Sequence, residues 1–239
     1  MNFYKLQLRI LDFFFPKTCV LCQKEGSFLC LDCFSKIQIK FGPHCPFCQK
    51  RIPEGRICQT CKKKNNLSLD GFVNIVSYGD KDVRTIIDSF KYDFLEQLHK
   101  PIFALFIKYF KQNQEIEFIK NPDDFILIPI PLFWRRLHWR GFNQAENLGG
   151  SLSQFLHIPF KKHVLKRVKN TSPLAKIKNE KHRREEIKDA FSIKNKDKIK
   201  GKKIILIDDV ATTLSTLDEA ARLLKASGTK EVLGLVFAK

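Results

Sequence analysis

The stretch I-I-L-I-D-D-V-A-T-T-L-S-T, residues 204 to 216, decides the fold of this chain. Its first four residues are isoleucine or leucine, a pattern typical of a central parallel strand that is covered on both faces. Asp208 and Asp209 then fall at the carboxyl end of the strand, the edge at which open α/β sheets bind ligands. Carboxylates at this edge can accept hydrogen bonds from a sugar diol or hold a divalent cation. The stretch therefore predicts an α/β domain with a ligand site.

A hydroxyl-rich turn follows the acidic pair and precedes a predicted helix at residues 217 to 226. Its hydroxyl residues are Thr212, Thr213, Ser215 and Thr216. The N-terminus of a helix points unpaired backbone N–H groups outward, and short hydroxyl side chains add donors, so the turn suits a phosphate. The alternative is an ordinary strand, turn and capped helix. Adjacent carboxylates together with four hydroxyl groups favour the ligand site.

This segment resembles the phosphoribosyl pyrophosphate (PRPP) motif of type I phosphoribosyltransferases. The resemblance implies that Asp208 and Asp209 contact the ribose hydroxyls of PRPP, with Mg²⁺ accompanying the ligand. It also implies a set of residues around the 5′-phosphate: Ala211, Thr212, Thr213, Leu214, Ser215 and Thr216. Leu214 departs from the family, which usually has glycine here, and glycine permits a close backbone approach with positive φ.

All eight cysteines lie in the first 61 residues as four Cys-x-x-Cys pairs. Two such pairs supply the tetrahedral thiolate cage that zinc prefers, so we predict two structural zinc ions. Spacers of seven and nine residues favour sequential pairing, although interleaved pairing is open. Disulfides and iron–sulfur clusters are alternatives, but we find no cleavable signal peptide and no cysteine in the other 178 residues. The expected ligand sets are Cys19, Cys22, Cys30 and Cys33, and Cys45, Cys48, Cys58 and Cys61.

Three parts follow from this division of the chain. Residues 1–17 form an amphipathic helix, which packs on the rest of the protein or, alternatively, on a membrane surface. Residues 18–66 form a double zinc ribbon that depends on its metal and ends in a polar linker at 62–66. Residues 67–239 form the α/β domain. The apolar run at 102–110 is too short to span a membrane, so we expect a cytoplasmic protein with peripheral contact at the inner membrane as a further option.

From residue 71 onward, β and α signals alternate, which predicts a mainly parallel sheet flanked by helices. Predicted strands cover residues 72–78, 125–130, 190–193 and 232–237. Predicted helices cover residues 82–91, 95–111 with a break at Pro101, and 144–156.

The segment P-I-P-L-F-W-R-R-L-H-W-R-G-F-N-Q, residues 129 to 144, carries a narrower resemblance. With the cysteine pairs ahead of it, the chain closely resembles the ComF family of competence proteins, of the ComFC type, over nearly its whole length. The resemblance implies a protein of natural transformation that handles incoming single-stranded DNA and works with the competence helicase and other DNA-uptake proteins. It also implies a pyrophosphate-binding region made of Pro129, Ile130, Pro131, Lys91, Arg135, Arg136 and Arg140.

The arginines of this segment alternate with aromatic residues, among them Trp134 and Trp139, the two tryptophans of the chain. Guanidinium groups bind phosphate in a fork, and exposed rings can stack on bases. The alternative is that both tryptophans are core or hinge residues.

Net charge gives a second argument for a polyanionic partner. The chain carries a formal charge of +18, and residues 161–203 contain 17 Lys and Arg against 5 Asp and Glu, or +12 of that total. Such clustering favours nucleic acid over anionic lipid, although a compositional bias toward lysine is the alternative. The candidate DNA-binding residues are Arg135, Arg136, Arg140, Lys166, Arg167, Lys169, Arg183 and Arg184.

Two functions are consistent with these patterns. In the first, a competence protein binds single-stranded DNA and carries a PRPP or sugar-phosphate pocket. In the second, an active phosphoribosyltransferase moves ribose 5-phosphate from PRPP to a nitrogenous base. The sequence contains no recognisable base-binding hood, which counts against the second. Its six histidines show no pairing with a nucleophile, so it suggests no hydrolase triad.

Overall fold

A computed structural model describes residues 16–93, 95–172, 177 and 179–239. The amphipathic helix predicted for residues 1–17 therefore lies outside the described residues, except for its last two positions. Within the described part of the chain, no helix combines the length and apolarity needed to cross a lipid bilayer.

A four-stranded parallel sheet forms the centre of the protein. Its strands are β1 (Gly71–Val76), β2 (Phe125–Pro129), β5 (Lys203–Val210) and β6 (Glu231–Ala238). They lie in the order β1-β6-β5-β2, and each neighbouring pair is parallel. The predicted mainly parallel sheet is confirmed, and the acidic pair lies in the last three residues of β5.

Two short strands form a separate antiparallel pair, β3 (Leu165–Arg167) and β4 (Phe191–Ile193). The strand predicted at 190–193 exists, but it joins this small sheet and not the central one. β3 was not predicted, because three residues that include two cations give no strand pattern.

Helices cover both faces of the central sheet. Their bounds are α1 (Leu31–Lys36), α2 (Gln59–Lys64), α3 (Lys81–Tyr92), α4 (His99–Gln112), α5 (Glu117–Lys120), α6 (Trp134–Arg140), α7 (Gln144–Leu156), α8 (Glu180–Ile187) and α9 (Ser215–Ala226). Short 3-10 turns occupy Glu96–Leu98, Pro122–Asp124 and Lys196–Lys198. At the break predicted near Pro101, a 3-10 turn ends and α4 begins. Pro101 thus lies in the first turn of α4, where a backbone N–H has no partner within the helix and its absence costs no hydrogen bond.

Side chains alternate across the sheet and build two hydrophobic clusters. Ile205 and Ile207 of β5 belong to the cluster that includes α3, α4 and α7. Ile204 and Leu206 belong to the cluster that includes α9 and the small sheet. Because β5 is buried on both faces, its sequence reads as an unbroken apolar run up to the aspartates.

The cysteine-rich module docks on the edge strand β1. Phe72 N–H donates to Gly55 O at 2.7 Å, and Lys40 N–H donates to Ile75 O at 2.8 Å. Three cysteines of the first set, Cys19, Cys30 and Cys33, pack with the hydrophobic cluster on one face of the sheet. Three of the second set, Cys45, Cys58 and Cys61, pack with the cluster on the other face. The polar stretch predicted as a linker at 62–66 begins within α2, which ends at Lys64.

Candidate functional site

A pocket of about 180 Å³ opens at the carboxyl edge of the central sheet. It lies between the end of β5, the start of α9, the α6 to α7 segment and β3, and we call it the carboxyl-edge pocket. Its charged lining consists of Lys91, Arg136, Arg140, Arg167, Asp208 and Asp209. Three sequence motifs far apart in the chain therefore meet at one place, as the topology of a parallel sheet dictates.

The acidic pair occupies two different environments in this pocket. Lys91 Nζ lies 3.0 Å from an Asp209 carboxylate oxygen, and Asp209 N–H donates to the Asp208 carboxylate at 2.9 Å. Burial, and then the charge of Asp209, raise the pKa of Asp208 to about 7. Although burial opposes its charge, Asp209 keeps the pKa of Lys91 above its usual value. One carboxylate is thus ion-paired, while the other would gain from a hydroxyl donor or a cation.

The turn at residues 212–216, which we call the hydroxyl turn, leads into α9. Leu214 has φ +65° and ψ 0°, the left-handed conformation, and its side chain is 2% exposed within the α9 cluster. A Cβ in this conformation costs about 1 kcal/mol, which burial of a leucine offsets by about 2 kcal/mol. Leu214 therefore adopts the left-handed backbone conformation that usually favours glycine.

The start of α9 is open to an anion. Among the described residues, no side chain caps the N-terminus of α9. Thr213 Oγ1 and Ser215 Oγ lie 2.8 Å apart, and both residues line the pocket. Free N–H groups and two adjacent hydroxyl groups at the first turn of a twelve-residue helix provide phosphate-binding donors.

The Pro-Ile-Pro segment continues from β2 along the pocket. Pro129 ends the strand, and Ile130 N–H donates to Ile207 O at 2.8 Å. Ile130 O accepts from Asn143 Nδ2 at 3.1 Å, so the segment is tied to the start of α7. The Pro-Ile-Pro part of the predicted pyrophosphate region therefore lies beside the acidic pair, with Pro131 half-buried at its outer end.

The arginines of α6 separate onto two sides of the helix. Arg136 and Arg140 line the pocket, whereas Arg135 is exposed with its guanidinium 5.2 Å from the Trp134 ring centroid. Arg140 donates to Gln144 Oε1 at 2.8 Å, and Gln144 in turn donates to Phe90 O at 3.0 Å. Gln144 was not among the predicted site residues. The Arg-Gly-Phe-Asn-Gln motif that contains it is the sequence feature that could have identified it.

Arg167 of β3 completes a cationic wall with Arg136 and Arg140, which we call the arginine wall. It is 8% exposed and donates to Thr171 Oγ1, while Arg136 donates to Thr171 O. Burial, and then the charge of Arg136, lower the pKa of Arg167 to about 10. No carboxylate of the described residues lies within ion-pair distance of these three guanidinium groups.

The other predicted DNA-binding residues are not among those that line the pocket. Lys166 is exposed, and Lys169 Nζ donates to Lys188 O at 2.7 Å. Arg183 donates to Thr212 Oγ1 at 2.9 Å, which ties α8 to the hydroxyl turn. Arg184 donates to Asn65 O at 3.1 Å, which ties α8 to the cysteine-rich module.

Exposed aromatic rings lie beside the pocket and along α6. Trp139 and Tyr92 are 56% and 51% exposed, and we call them the aromatic ridge, while Trp134, which is 62% exposed, lies next to Arg135. The Tyr92 and Trp139 ring centroids lie 6.2 Å apart, and Tyr92 also lines the pocket. The alternative that both tryptophans are core residues is therefore wrong.

Two four-cysteine clusters have the geometry of zinc centres. Within each cluster the sulfur atoms all lie within 4.8 Å of one another, and the sets are the two sequential ones that were predicted. Cys22 and Cys30 Sγ are 3.6 Å apart, as are Cys48 and Cys58 Sγ. A tetrahedral ion with Zn–S bonds of about 2.3 Å places its sulfurs about 3.8 Å apart, so both cages fit zinc. Interleaved pairing is excluded.

Family models match both halves of the protein. A model described as a double zinc ribbon domain matches residues 10–64, and one described as a phosphoribosyl transferase domain matches residues 147–238. Similarity to solved structures is weaker. Glutamine PRPP amidotransferase from B. subtilis shares 14% identity over 46% of this chain and 22% of its own, with a TM-score of 0.32, and adds nothing to the assignment.

Relatives with known names align over most of the chain. Competence protein F of Haemophilus influenzae is 31% identical over 92% of this chain and 95% of its own length. Competence protein ComFC of Bacillus subtilis is 32% identical over 86% of this chain and 81% of its own. DNA utilization protein YhgH of Escherichia coli O157:H7 is 34% identical over 48% of each. The chain belongs to the ComF family of competence proteins and joins a double zinc ribbon to a phosphoribosyltransferase-like domain.

Proposed function

We propose that this protein binds single-stranded DNA during natural transformation and holds PRPP or a related sugar phosphate in its carboxyl-edge pocket. The observation that carries the proposal is the pocket itself, which combines an acidic pair, a phosphate-binding turn and four cationic side chains. Each component suits a different part of one ligand. No neutral or purely apolar ligand would use all three.

The ligand would lie along the carboxyl ends of β2 and β5. Asp208 and Asp209 would accept hydrogen bonds from the ribose 2′ and 3′ hydroxyls, and the hydroxyl turn would hold the 5′-phosphate. The pyrophosphate would then reach Lys91 and the arginine wall, because guanidinium groups bind phosphate oxygens in pairs. Mg²⁺ is expected to accompany PRPP, since the pyrophosphate and a charged Asp208 both supply oxygen ligands.

The DNA would lie outside the pocket, on the aromatic ridge and on exposed cations such as Arg135, Lys166 and Lys169. Exposed rings stack on unpaired bases without sequence preference, and lysine and arginine attract the backbone. The names of the relatives, competence protein and DNA utilization protein, support a role in DNA handling. We expect this to occur in the cytoplasm, with the competence helicase and other DNA-uptake proteins as partners and with peripheral contact at the inner membrane as a further option.

Two binding measurements test the proposal on the zinc-loaded full chain. Calorimetric titration with PRPP and Mg²⁺ should show binding to the wild type and none to the double variant Asp208→Ala, Asp209→Ala, which should retain its zinc and its fold. Anisotropy of a labelled single-stranded oligonucleotide should show binding that weakens steeply with salt. Unchanged PRPP binding by the double variant would refute the assignment of the acidic pair, and salt-independent or absent DNA binding would refute the DNA role.

The transferase alternative is favoured by the match of residues 147–238 to a phosphoribosyl transferase domain. In that case the pocket would stabilise pyrophosphate as it leaves the ribose, mostly through its cations and Mg²⁺. Incubation with PRPP and a panel of purine and pyrimidine bases should then release pyrophosphate. A rate equal to that of PRPP alone with every base would exclude this function.

A further inference from the structure

Two of the three guanidinium groups of the arginine wall are buried, and no carboxylate of the described residues lies within ion-pair distance of the wall. Arg140 and Arg167 are 9% and 8% exposed, and the Nε of each has no hydrogen-bond partner among the described residues. A buried cation costs free energy unless an anion approaches it. The observed contacts of these side chains, to Gln144, Thr171 and the ring of Tyr92, fix their positions but do not neutralise them. The wall therefore has the character of an anion site.

This anion site lies between the inside of the pocket and the aromatic ridge. On its inner side are the acidic pair and the hydroxyl turn. On its outer side, the Arg140 guanidinium lies 5.7 Å from the centroid of Tyr92, whose ring lies 6.2 Å from that of Trp139. A phosphate bound to Arg140 would thus lie close to Tyr92 and Trp139, on whose rings a base could stack. These are adjacent positions, as the phosphate and base of a single nucleotide require.

The acidic pair restricts how DNA can use this arrangement. A nucleotide within a DNA strand has no free 2′,3′-diol, and its 3′-oxygen carries a phosphate. Placed beside Asp208 and Asp209, that phosphate would meet two carboxylates and be repelled. The strand can therefore reach the arginine wall from the ridge side, but it cannot continue into the ribose position. A sugar pyrophosphate can reach the same wall from the inside.

We propose that the arginine wall is a shared anion site, occupied either by a backbone phosphate of single-stranded DNA or by the pyrophosphate of the sugar ligand, so that the two ligands exclude each other. This inference rests on the proposed function, since it requires that both ligands bind. It adds a regulatory relation: a sugar pyrophosphate releases DNA, and DNA lowers the affinity for the sugar pyrophosphate by the same factor. A sugar phosphate without a pyrophosphate would leave the wall free.

Competition on the zinc-loaded full chain tests this relation. A fluorescein-labelled oligothymidylate would be titrated with protein in the presence of PRPP, pyrophosphate or ribose 5-phosphate, each with Mg²⁺ at one fixed ionic strength, with sodium sulfate as the ionic control. At ten times its own Kd, PRPP should raise the apparent Kd for DNA about tenfold, as simple competition requires. Pyrophosphate should act in the same direction, and ribose 5-phosphate should change the Kd by less than about twofold.

Each outcome decides between the two proposals. If both ligands bind alone but PRPP at saturation leaves the DNA affinity unchanged, or if ribose 5-phosphate displaces DNA as strongly as PRPP does, the shared site is refuted and the proposed function stands. If either ligand fails to bind alone, the proposed function fails and the shared site with it.

Matched variants provide a second measurement. Arg167→Met keeps most of the buried aliphatic stem and removes the charge, so it should weaken DNA and PRPP binding together. Arg135→Ala removes an exposed arginine from the other side of α6 and should weaken DNA binding only. Loss of PRPP affinity alone in Arg167→Met, shown to be folded by its zinc content and circular dichroism, would contradict a shared site.

Discussion

The zinc ribbon module and the α/β domain of this protein are stabilised in opposite ways. In the module, the short helices α1 and α2 contain no buried residue, and two cysteine cages hold the chain. In the α/β domain, every residue of β6 is buried, and the sheet is covered on both faces. The first depends on thiolates and metal, the second on apolar area. The difference teaches that metal binding and apolar burial can stabilise separate regions of one chain. Each experiment below perturbs one region or the junction between them.

Removal of zinc should have the largest effect and should separate the two regions. Structural zinc is worth about 10 kcal/mol or more per site in small modules, so a strong chelator should unfold residues 18–66. The amides of β5 and β6 should stay protected, because their core consists of apolar side chains. Hydrogen exchange with mass spectrometry, alongside a zinc-release assay, measures both. Loss of protection in β5 at the same chelator concentration would show that the regions are not separable.

Substitution of Leu214 tests the α/β domain, where conformation and burial compete at one residue. Leu214→Ala should destabilise by about 3 kcal/mol, because it leaves a cavity and keeps the left-handed backbone strain. Leu214→Gly should be less harmful than alanine by about 1 kcal/mol, since glycine relieves that strain. Urea denaturation of both variants measures the order. A glycine variant less stable than the alanine variant would show that φ at this position carries no cost.

The junction between the two regions depends on Arg56, which lies in the module and reaches the base of the sheet. It pairs with Glu117, and its Nη1 lies 2.6 Å from Glu231 Oε1. Arg56→Ala should lower the free energy of unfolding by about 2 kcal/mol, because two largely buried carboxylates lose the positive charge of their partner. Lys24→Ala is the matched control, because Lys24 and Asp32 are 3.8 Å apart and both exposed, and it should change stability by less than about 0.5 kcal/mol.

The same junction makes part of this stability dependent on pH. Although burial opposes it, Lys203 and Arg56 lower the pKa of the Glu117 carboxyl below its usual value. A lowered pKa in the folded state adds stability above the unfolded pKa, and that stability is lost as the pH falls through the folded value. The cost of Arg56→Ala should therefore shrink in acid. Denaturation at neutral pH and below the usual glutamate pKa measures it, and an equal cost at both would contradict the assignment.

Asp208→Asn should change stability less than Arg56→Ala does, and with the opposite sign. Because the pKa of Asp208 is raised to about 7, its favourable contribution is fully present only below the usual aspartate pKa and is lost as the pH rises through about 7. Asparagine removes the buried charge, so at pH 8 the variant should be more stable than the wild type by about 1 kcal/mol, with a smaller difference at pH 5. It should also bind PRPP poorly. A variant less stable at pH 8 than the wild type would contradict this account.

Local patterns were enough to predict much of this architecture. The apolar run of β5, the helical periodicity of α7 and the spacing of the cysteine pairs are each set by neighbouring residues, so the strand, the helix and the two cages were all predicted. The positions of the acidic pair and the hydroxyl turn were also predicted, because the first lies at the end of β5 and the second follows the strand directly.

Contacts between distant segments could not be predicted in the same way. Arg167 was assigned to a DNA-binding surface on charge alone, yet β3 places it in the pocket wall beside Thr171. Arg183 looked like another surface cation, yet it bonds Thr212 across 29 residues. Charge clustering shows that a polyanion is attracted, but tertiary packing decides which cations face it.

Hydrogen bonds from other segments cover both edge strands of the sheet and so affect the solubility of the protein. A parallel sheet normally ends in strands whose free N–H and C=O groups can recruit another chain and start aggregation. Here Leu127 N–H of β2 donates to Pro159 O at 2.9 Å, and Phe72 N–H of β1 donates to Gly55 O. The first cover is built from the α/β domain itself, but the second belongs to the metal-dependent module. Without zinc, copies of this protein would therefore aggregate through the uncovered β1 strand, although the carboxyl-edge pocket would still be folded.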